Sequence, residues 1–278
     1  MHHVEGSRHS SDGTELHWQA WLPEDGPRAV VVVSHGLGEH SGRYGNVVDA
    51  LVPRGYAMYA LDHRGHGRSG GPRAYVEHLD TVVDDFEQFR SDACARHVDT
   101  PSVVLGHSFG GLVALAHARR FGATQAGMVL SAPASAGGSR TSFRRVLHSR
   151  VEALIAPRRP VLQVDARLVS RDPAVVEDYV RDPLVFHGAV PARTVAEMRS
   201  RARGMPRESE RIRTPVLLLH GGDDAIIPAE ASRLLAARIG SADVELHVYD
   251  RLYHEVFNEP EREVVLGDVV AWLDARVT

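Results

Sequence analysis

Apolar and polar residues alternate over positions 14–22, and the run stops at Pro23, as an edge strand of an antiparallel pair would. The next apolar segment has a different pattern. Residues 29–34 form an unbroken, mostly β-branched run, which predicts a strand covered by helices on both faces. Similar runs recur at 56–61, 103–105, 127–133 and 215–220, and a further strand is expected at 244–249. Helical stretches fall between and after them, at about 45–54, 77–96, 112–121, 229–239 and 261–276. This alternation predicts an α/β fold with a mostly parallel, doubly wound sheet. The rhythm breaks over residues 134–213, which hold no strand-like apolar run. Short helical stretches there, with Val146, Leu147, Val151, Leu154 and Ile155 on one face, are punctuated by Pro157, Pro160, Pro173, Pro183, Pro191 and Pro206. The expected organisation is a core of residues 1–133 and 214–278 with a helical cap inserted at 134–213.

Composition narrows the class. A chain of 278 residues, 43% hydrophobic and 24% charged, can bury a large core. Its single cysteine, Cys94, can form no internal disulfide and has no metal-ligand spacing around it. No apolar run reaches the roughly 18 residues that span a bilayer, and the first residues lack the apolar core of a signal peptide, so the expectation is a cytoplasmic protein. A net charge of -4 argues against general nucleic-acid affinity. All 32 Lys+Arg positions are arginine, and residues 140–213 hold 16 of them against nine acids, a local excess of +7. That excess has two readings: arginines scattered over a solvated surface, or a basic cap face making transient contact with an anionic membrane.

Candidate chemistry centres on Gly106-His107-Ser108-Phe109-Gly110, where a predicted strand breaks into a predicted helix. The G-x-S-x-G spacing is that of a nucleophile elbow, a tight turn that lifts a serine hydroxyl above the sheet. A serine needs a base, and the base needs an orienting acid; on folds with this elbow both follow it in the chain. Asp223 and Asp224 follow the strand at 215–220, and His254 follows the strand at 244–249. His247 lies inside that last strand and would point across the sheet. Asp224 is the preferred acid and Asp223 the alternative. Residues 35–44 form a loop with Gly36, Gly38 and Gly42, whose amides can face an anion. The stretch from Asp62 to Ser69 contains two histidines and an aspartate, but no partner cluster completes a metal site, and a glycine-rich structural turn is the better reading.

Taken together, His35-Gly36-Leu37-Gly38-Glu39-His40, the Asp62–Ser69 turn, the elbow, Gly221-Gly222-Asp223-Asp224 and Tyr253-His254-Glu255 resemble the monoacylglycerol lipase family of α/β-hydrolases, in order, over about residues 30–260. The resemblance implies a serine hydrolase with a Ser108-Asp224-His254 triad, the G-x-x-D spacing favouring Asp224. It also implies an oxyanion hole made by the backbone N–H groups of Leu37 and Phe109, with no metal and no cofactor. Glu39 and Arg43 match polar residues near the family's alcohol exit; the other reading of them is a surface ion pair bracing the loop. The family often has Met where Phe109 stands, and some relatives have a second histidine where Phe257 stands, so glycerol recognition is expected to be organised differently or more weakly. The implied substrate is a monoacylglycerol or related lipid ester. The alternatives are a lysophospholipase, a general carboxylesterase, or a catalytically silent ligand-binding protein.

Overall fold

The structure, a computed structural model, describes residues 1–122, 125–135 and 151–277. Its strands are β1 (His2–His9), β2 (Glu15–Leu22), β3 (Ala29–Ser34), β4 (Tyr56–Leu61), β5 (Ser102–His107), β6 (Gly127–Ser131), β7 (Pro160–Leu162), β8 (Val190–Pro191), β9 (Val216–Gly221) and β10 (Val244–Tyr249). Eight of them form one sheet in the order β1-β2-β4-β3-β5-β6-β9-β10. Within it only β1–β2 and β2–β4 pair antiparallel; β4, β3, β5, β6, β9 and β10 run parallel. The described helices are α1 (Gly45–Leu51), α2 (Leu79–Ala95), α3 (Phe109–Phe121), α4 (Pro173–Arg181), α5 (Ala192–Glu208), α6 (Glu230–Ala236) and α7 (Arg262–Asp274).

The unbroken apolar runs are explained by what covers them. Val30, Val32 and Val104 join one core with residues of α2, α3 and α6. Val31, Val33, Val103 and Leu105 point the other way, into a core with α1 and α7. Successive side chains in a strand alternate faces, so a strand roofed by helices on both sides must be apolar at every position. Each buried side chain of this kind contributes about 1.5–3 kcal/mol. The parallel strands end along one edge of the sheet, where α/β folds bind their ligands.

Two expectations are corrected. Positions 14–22 do not form the edge of the sheet: β1 pairs outside β2 in continuous register from His2↔Leu22 to His9↔Glu15. The sequence of β1 is polar and its side chains are mostly exposed, so it carries no hydrophobic pattern. The segment between β6 and β9 is not purely helical, because β7 and β8 pair there in a short antiparallel ladder. Three- and two-residue strands containing proline leave no periodic trace. Residues 151–155 are helical, and Val151, Leu154 and Ile155 there are 46%, 76% and 80% exposed. Val146 and Leu147 lie outside the described residues.

Candidate active site

The turn at Ser108 is strained in the manner the motif requires. Ser108 sits at φ 52, ψ -114, a region that residues with a side chain rarely occupy. Its backbone is held on both sides. The Ser108 N–H donates to Ser131 O at 2.9 Å, and Ser108 O accepts from the N–H of Leu112 and of Ala134 at 3.2 and 2.9 Å. Glycines allow the close packing: a β-carbon on Gly110 would lie 1.8 Å from Ser34 O, and one on Gly106 would lie 2.7 Å from Gly110 O. The first turn of α3 therefore rests directly on the end of β3. Phe109 opens that helix, where an N–H has no intrahelical acceptor and the helix dipole favours negative charge.

From β9 the chain turns through Gly221 and Gly222 to Asp224, which is buried. Asp224 Oδ1 accepts from the N–H groups of Ile226 and Ile227 at 2.8 and 2.9 Å. His254 Nδ1–H donates to Asp224 Oδ2 at 2.7 Å, and His220 Nε2 lies 3.2 Å from the same oxygen. Burial pushes the Asp224 pKa up, but the hydrogen bonds from His220, His254 and the Ile227 amide outweigh it and hold the group well below the usual carboxylate range. Asp223 is exposed. Its N–H donates to Leu252 O at 3.0 Å, and its side chain borders a separate surface groove. The hydrogen-bonded acid beside His254 is thus Asp224. His247 is occupied elsewhere, with Nδ1 2.9 Å from Asp268 Oδ2 on α7.

Ser108 and His254 line one cavity of about 470 Å³. Leu37 and Ala134 from the sheet edge contribute to its wall, with Leu162, Val164, Val169, Tyr179, Met198 and Ala202 from the segment between β6 and β9 and Ile226, Ile227 and Pro228 after β9. An apolar cavity of this size with a few convergent polar groups is a typical small-molecule site.

The glycine loop at 35–44 is braced from within. Gly36 N–H and Tyr44 O–H both donate to Glu39 Oε1, at 2.5 and 2.8 Å. Arg43 donates to Glu39 Oε2 at 3.1 Å and, through two nitrogens, to Glu255 at 2.6 and 2.8 Å. Its guanidinium also stacks 4.7 Å above the Tyr179 ring. Glu39 is only 5% exposed, so the pair is no surface bridge; it is a buried brace that also reaches the cavity wall. Burial pushes the Glu39 carboxyl up, but Arg43 and the surrounding histidines and amide bring it down to about 2. Two contacts tie the loop to the segment between β6 and β9: Phe186 N–H donates to Gly38 O at 2.7 Å, and His40 Nε2–H donates to Asp182 at 2.8 Å. Asp62 belongs to the same framework, accepting from the N–H groups of Ser41 and Arg68 at 2.8 Å each.

Sequence reasoning missed three residues of this region. Glu255 adjoins His254 and could have been flagged as a carboxylate beside the base. His220 stands out as the polar residue of an otherwise apolar run. Tyr179 gave no signal, because nothing in its own segment shows what it packs against.

Residues 25–261 match the family model described as serine aminopeptidase, S33. A monoacylglycerol lipase of Mycolicibacterium smegmatis is 43% identical over 94% of this chain and 93% of its own length. The chain belongs to the monoacylglycerol lipase family of α/β-hydrolases. Human monoglyceride lipase, another relative, is 32% identical over 96% of this chain and 89% of its own. Among solved structures, the Paleococcus ferrophilus monoacylglycerol lipase superposes with a TM-score of 0.80 at 31% identity, covering 99% of this chain and 100% of that one. The α/β-hydrolase fold and ester-hydrolase chemistry of the family therefore apply to this chain.

Proposed function

We propose that the protein hydrolyses monoacylglycerols to fatty acid and glycerol, with Ser108 as nucleophile, His254 as general base and acid, and Asp224 as the orienting acid. The observation that carries the reading is the 2.7 Å bond between His254 Nδ1 and Asp224 at the edge of an apolar cavity shared by His254 and Ser108. With Nδ1 committed to Asp224, Nε2 is the nitrogen left to take the serine proton. The Ser108 oxygen attacks the ester carbonyl, and the N–H groups of Leu37 and Phe109 receive the developing oxyanion. His254 then protonates the departing glycerol oxygen. Water, activated by the same histidine, releases the fatty acid.

The mostly apolar cavity wall supports an acyl substrate. Its two carboxylates, Glu39 and Glu255, share Arg43. They suit an alcohol. A carboxylate offers about four lone-pair directions, and each of these accepts three hydrogen bonds within the protein, which leaves an acceptor for a glycerol hydroxyl. Phe257 offers none. In this reading residues 134–213 are the cap and supply most of the acyl-binding wall.

Contact of the cap with a lipid surface is supported less by charge than by apolar exposure. Several of its arginines have acidic partners, including Arg159–Glu152, Arg167–Asp165, Arg171–Glu259 and Arg181–Glu177, which disperses the excess. Arg140, Arg144 and Arg145 lie outside the described residues. Exposed Val151, Leu154 and Ile155 form the better footing. No helix among the described residues is long and apolar enough to cross a membrane.

The test is a hydrolysis panel of monoacylglycerols, diacylglycerols, lysophosphatidylcholine and p-nitrophenyl esters. Highest kcat/KM on monoacylglycerols is the expected result. Preference for lysophosphatidylcholine or for short p-nitrophenyl esters would move the assignment to a lysophospholipase or a general carboxylesterase.

A further inference from the structure

We propose that His220 is a positioning residue of the acid, holding Asp224 against His254 and tempering how strongly that carboxylate draws on the His254 proton. The inference rests on the triad reading above. β9 runs Val216, Leu217, Leu218, Leu219, His220, and every one of these is buried. A buried imidazole in an apolar strand is costly unless its nitrogens are bonded, and both are. His220 Nε2 lies 2.8 Å from Ile227 O and 3.2 Å from Asp224 Oδ2. Both neighbours are acceptors, so the proton sits on Nε2. His220 Nδ1 then accepts from the Ser232 hydroxyl of α6 at 2.7 Å, and Ser232 is fully buried. A line of polar contacts therefore runs from α6 through Ser232 and His220 to Asp224 and His254, with hydrogen bonds at both ends and a 3.2 Å approach of His220 Nε2 to Asp224 Oδ2 between them.

The consequence lies in the count of donors. Two amides occupy Asp224 Oδ1, while His254 and His220 share Oδ2. The carboxylate cannot rotate without breaking several bonds at once, and each donor withdraws charge from the oxygen facing His254. Removing His220 leaves Oδ2 more basic toward His254. That stabilises the His254 imidazolium and moves the acid limb of the rate profile to higher pH. The other titratable or charged groups lining the cavity with His254 are His107 at the end of β5, its ring 4.8 Å from that of His254, Glu39 in the loop after β3, Glu255 beside His254, and Arg199 and Arg203 of α5. All are retained in the variants below.

The experiment compares His220→Leu with His220→Gln, whose amide N–H reaches toward the position of Nε2. For His220→Leu the expected result is a fall in kcat of about tenfold, KM within about twofold, and an acid limb of kcat/KM raised by roughly half a pH unit. His220→Gln should restore most of kcat and the original limb. A leucine variant with wild-type kcat and limb would overturn the proposal, as would equal losses in both variants with the limb unmoved. If His220→Leu does not fold, Ser232→Ala tests the same line by releasing Nδ1: a raised limb supports it and an unmoved limb overturns it. Ser108→Ala and Asp224→Asn run alongside separate the two levels. Normal ester turnover by either would remove the triad reading itself, whereas loss in both with a wild-type His220→Leu would remove only the role of His220.

Discussion

Substituting Gly110 by alanine should cost far more activity than stability. The added β-carbon would lie 1.8 Å from Ser34 O, 2.4 Å from Ser34 C and 2.6 Å from His35 O. All three are backbone atoms, so no side chain can swing aside. Restoring an ordinary C···O separation of about 3.4 Å requires the first turn of α3 to move by roughly 1.5 Å. Overpacking of this kind costs about 1–3 kcal/mol of stability, or roughly 2–4 °C of Tm per kcal/mol. The same movement carries the Ser108 hydroxyl and the Phe109 N–H away from the loop that holds Leu37. A misplacement of about 1 Å costs on the order of 100-fold in rate, so kcat on a monoacylglycerol should fall at least that far in a protein that still folds. Gly267, inside α7, is the matched control: a β-carbon there meets nothing within 4 Å. Gly267→Ala should raise stability by about 0.5–1 kcal/mol and leave kcat unchanged. Thermal melts and steady-state kinetics on the three proteins decide the matter. A Gly110→Ala enzyme within threefold of wild-type kcat would refute the reasoning.

Asp224→Asn should lose at least about 1,000-fold in kcat, as loss of the orienting acid does in other triads, while Asp223→Asn stays within threefold; steady-state kinetics showing the reverse ranking would reassign the acid. Arg43→Met leaves Glu39 and Glu255 buried without their counter-charge and should destabilise the fold by about 3–5 kcal/mol, read from urea unfolding; a loss below 1 kcal/mol would show that the brace is not structural. Stability should begin to decline as pH falls below about 6.5. Burial lowers the pKa of His35 and His63, and brings His66 to about 3 and His107 to about 4. The unfolded chain therefore takes up these protons first, and stability present above the unfolded pKa is lost toward the folded one. Urea unfolding at pH 7 and pH 5 should show the drop, and equal stability at both would contradict it.

What could be read from the chain followed the physics of burial. β3 to β5, β6 and β9 were legible because helices on both faces demand unbroken apolar runs, and the elbow because only glycines tolerate the approaches at Gly106 and Gly110. β1 was invisible, since a mostly exposed edge strand is held by backbone bonds that carry no side-chain pattern. The β7–β8 ladder was too short to show a period. At the site, the places of Asp224 and His254 after strands pointed to a pair that the fold brings within 2.7 Å. The brace around Arg43 was half seen: Glu39 lies four residues away on the same loop, but Glu255 arrives from 212 residues along the chain. His220 went unremarked for a related reason. Its importance lies in the partners of its two nitrogens, which only the folded geometry supplies.

In the mechanism we propose, Ser108 forms the acyl-enzyme. Intact-mass and peptide mapping after treatment with a fluorophosphonate test it directly, with monoacylglycerol turnover followed in parallel on wild type and Ser108→Ala. The expected result is a single adduct on the peptide carrying Ser108, loss of turnover in step with labelling, and neither adduct nor turnover in Ser108→Ala despite a native melt. An adduct on another residue, or substantial monoacylglycerol hydrolysis by Ser108→Ala, would contradict it.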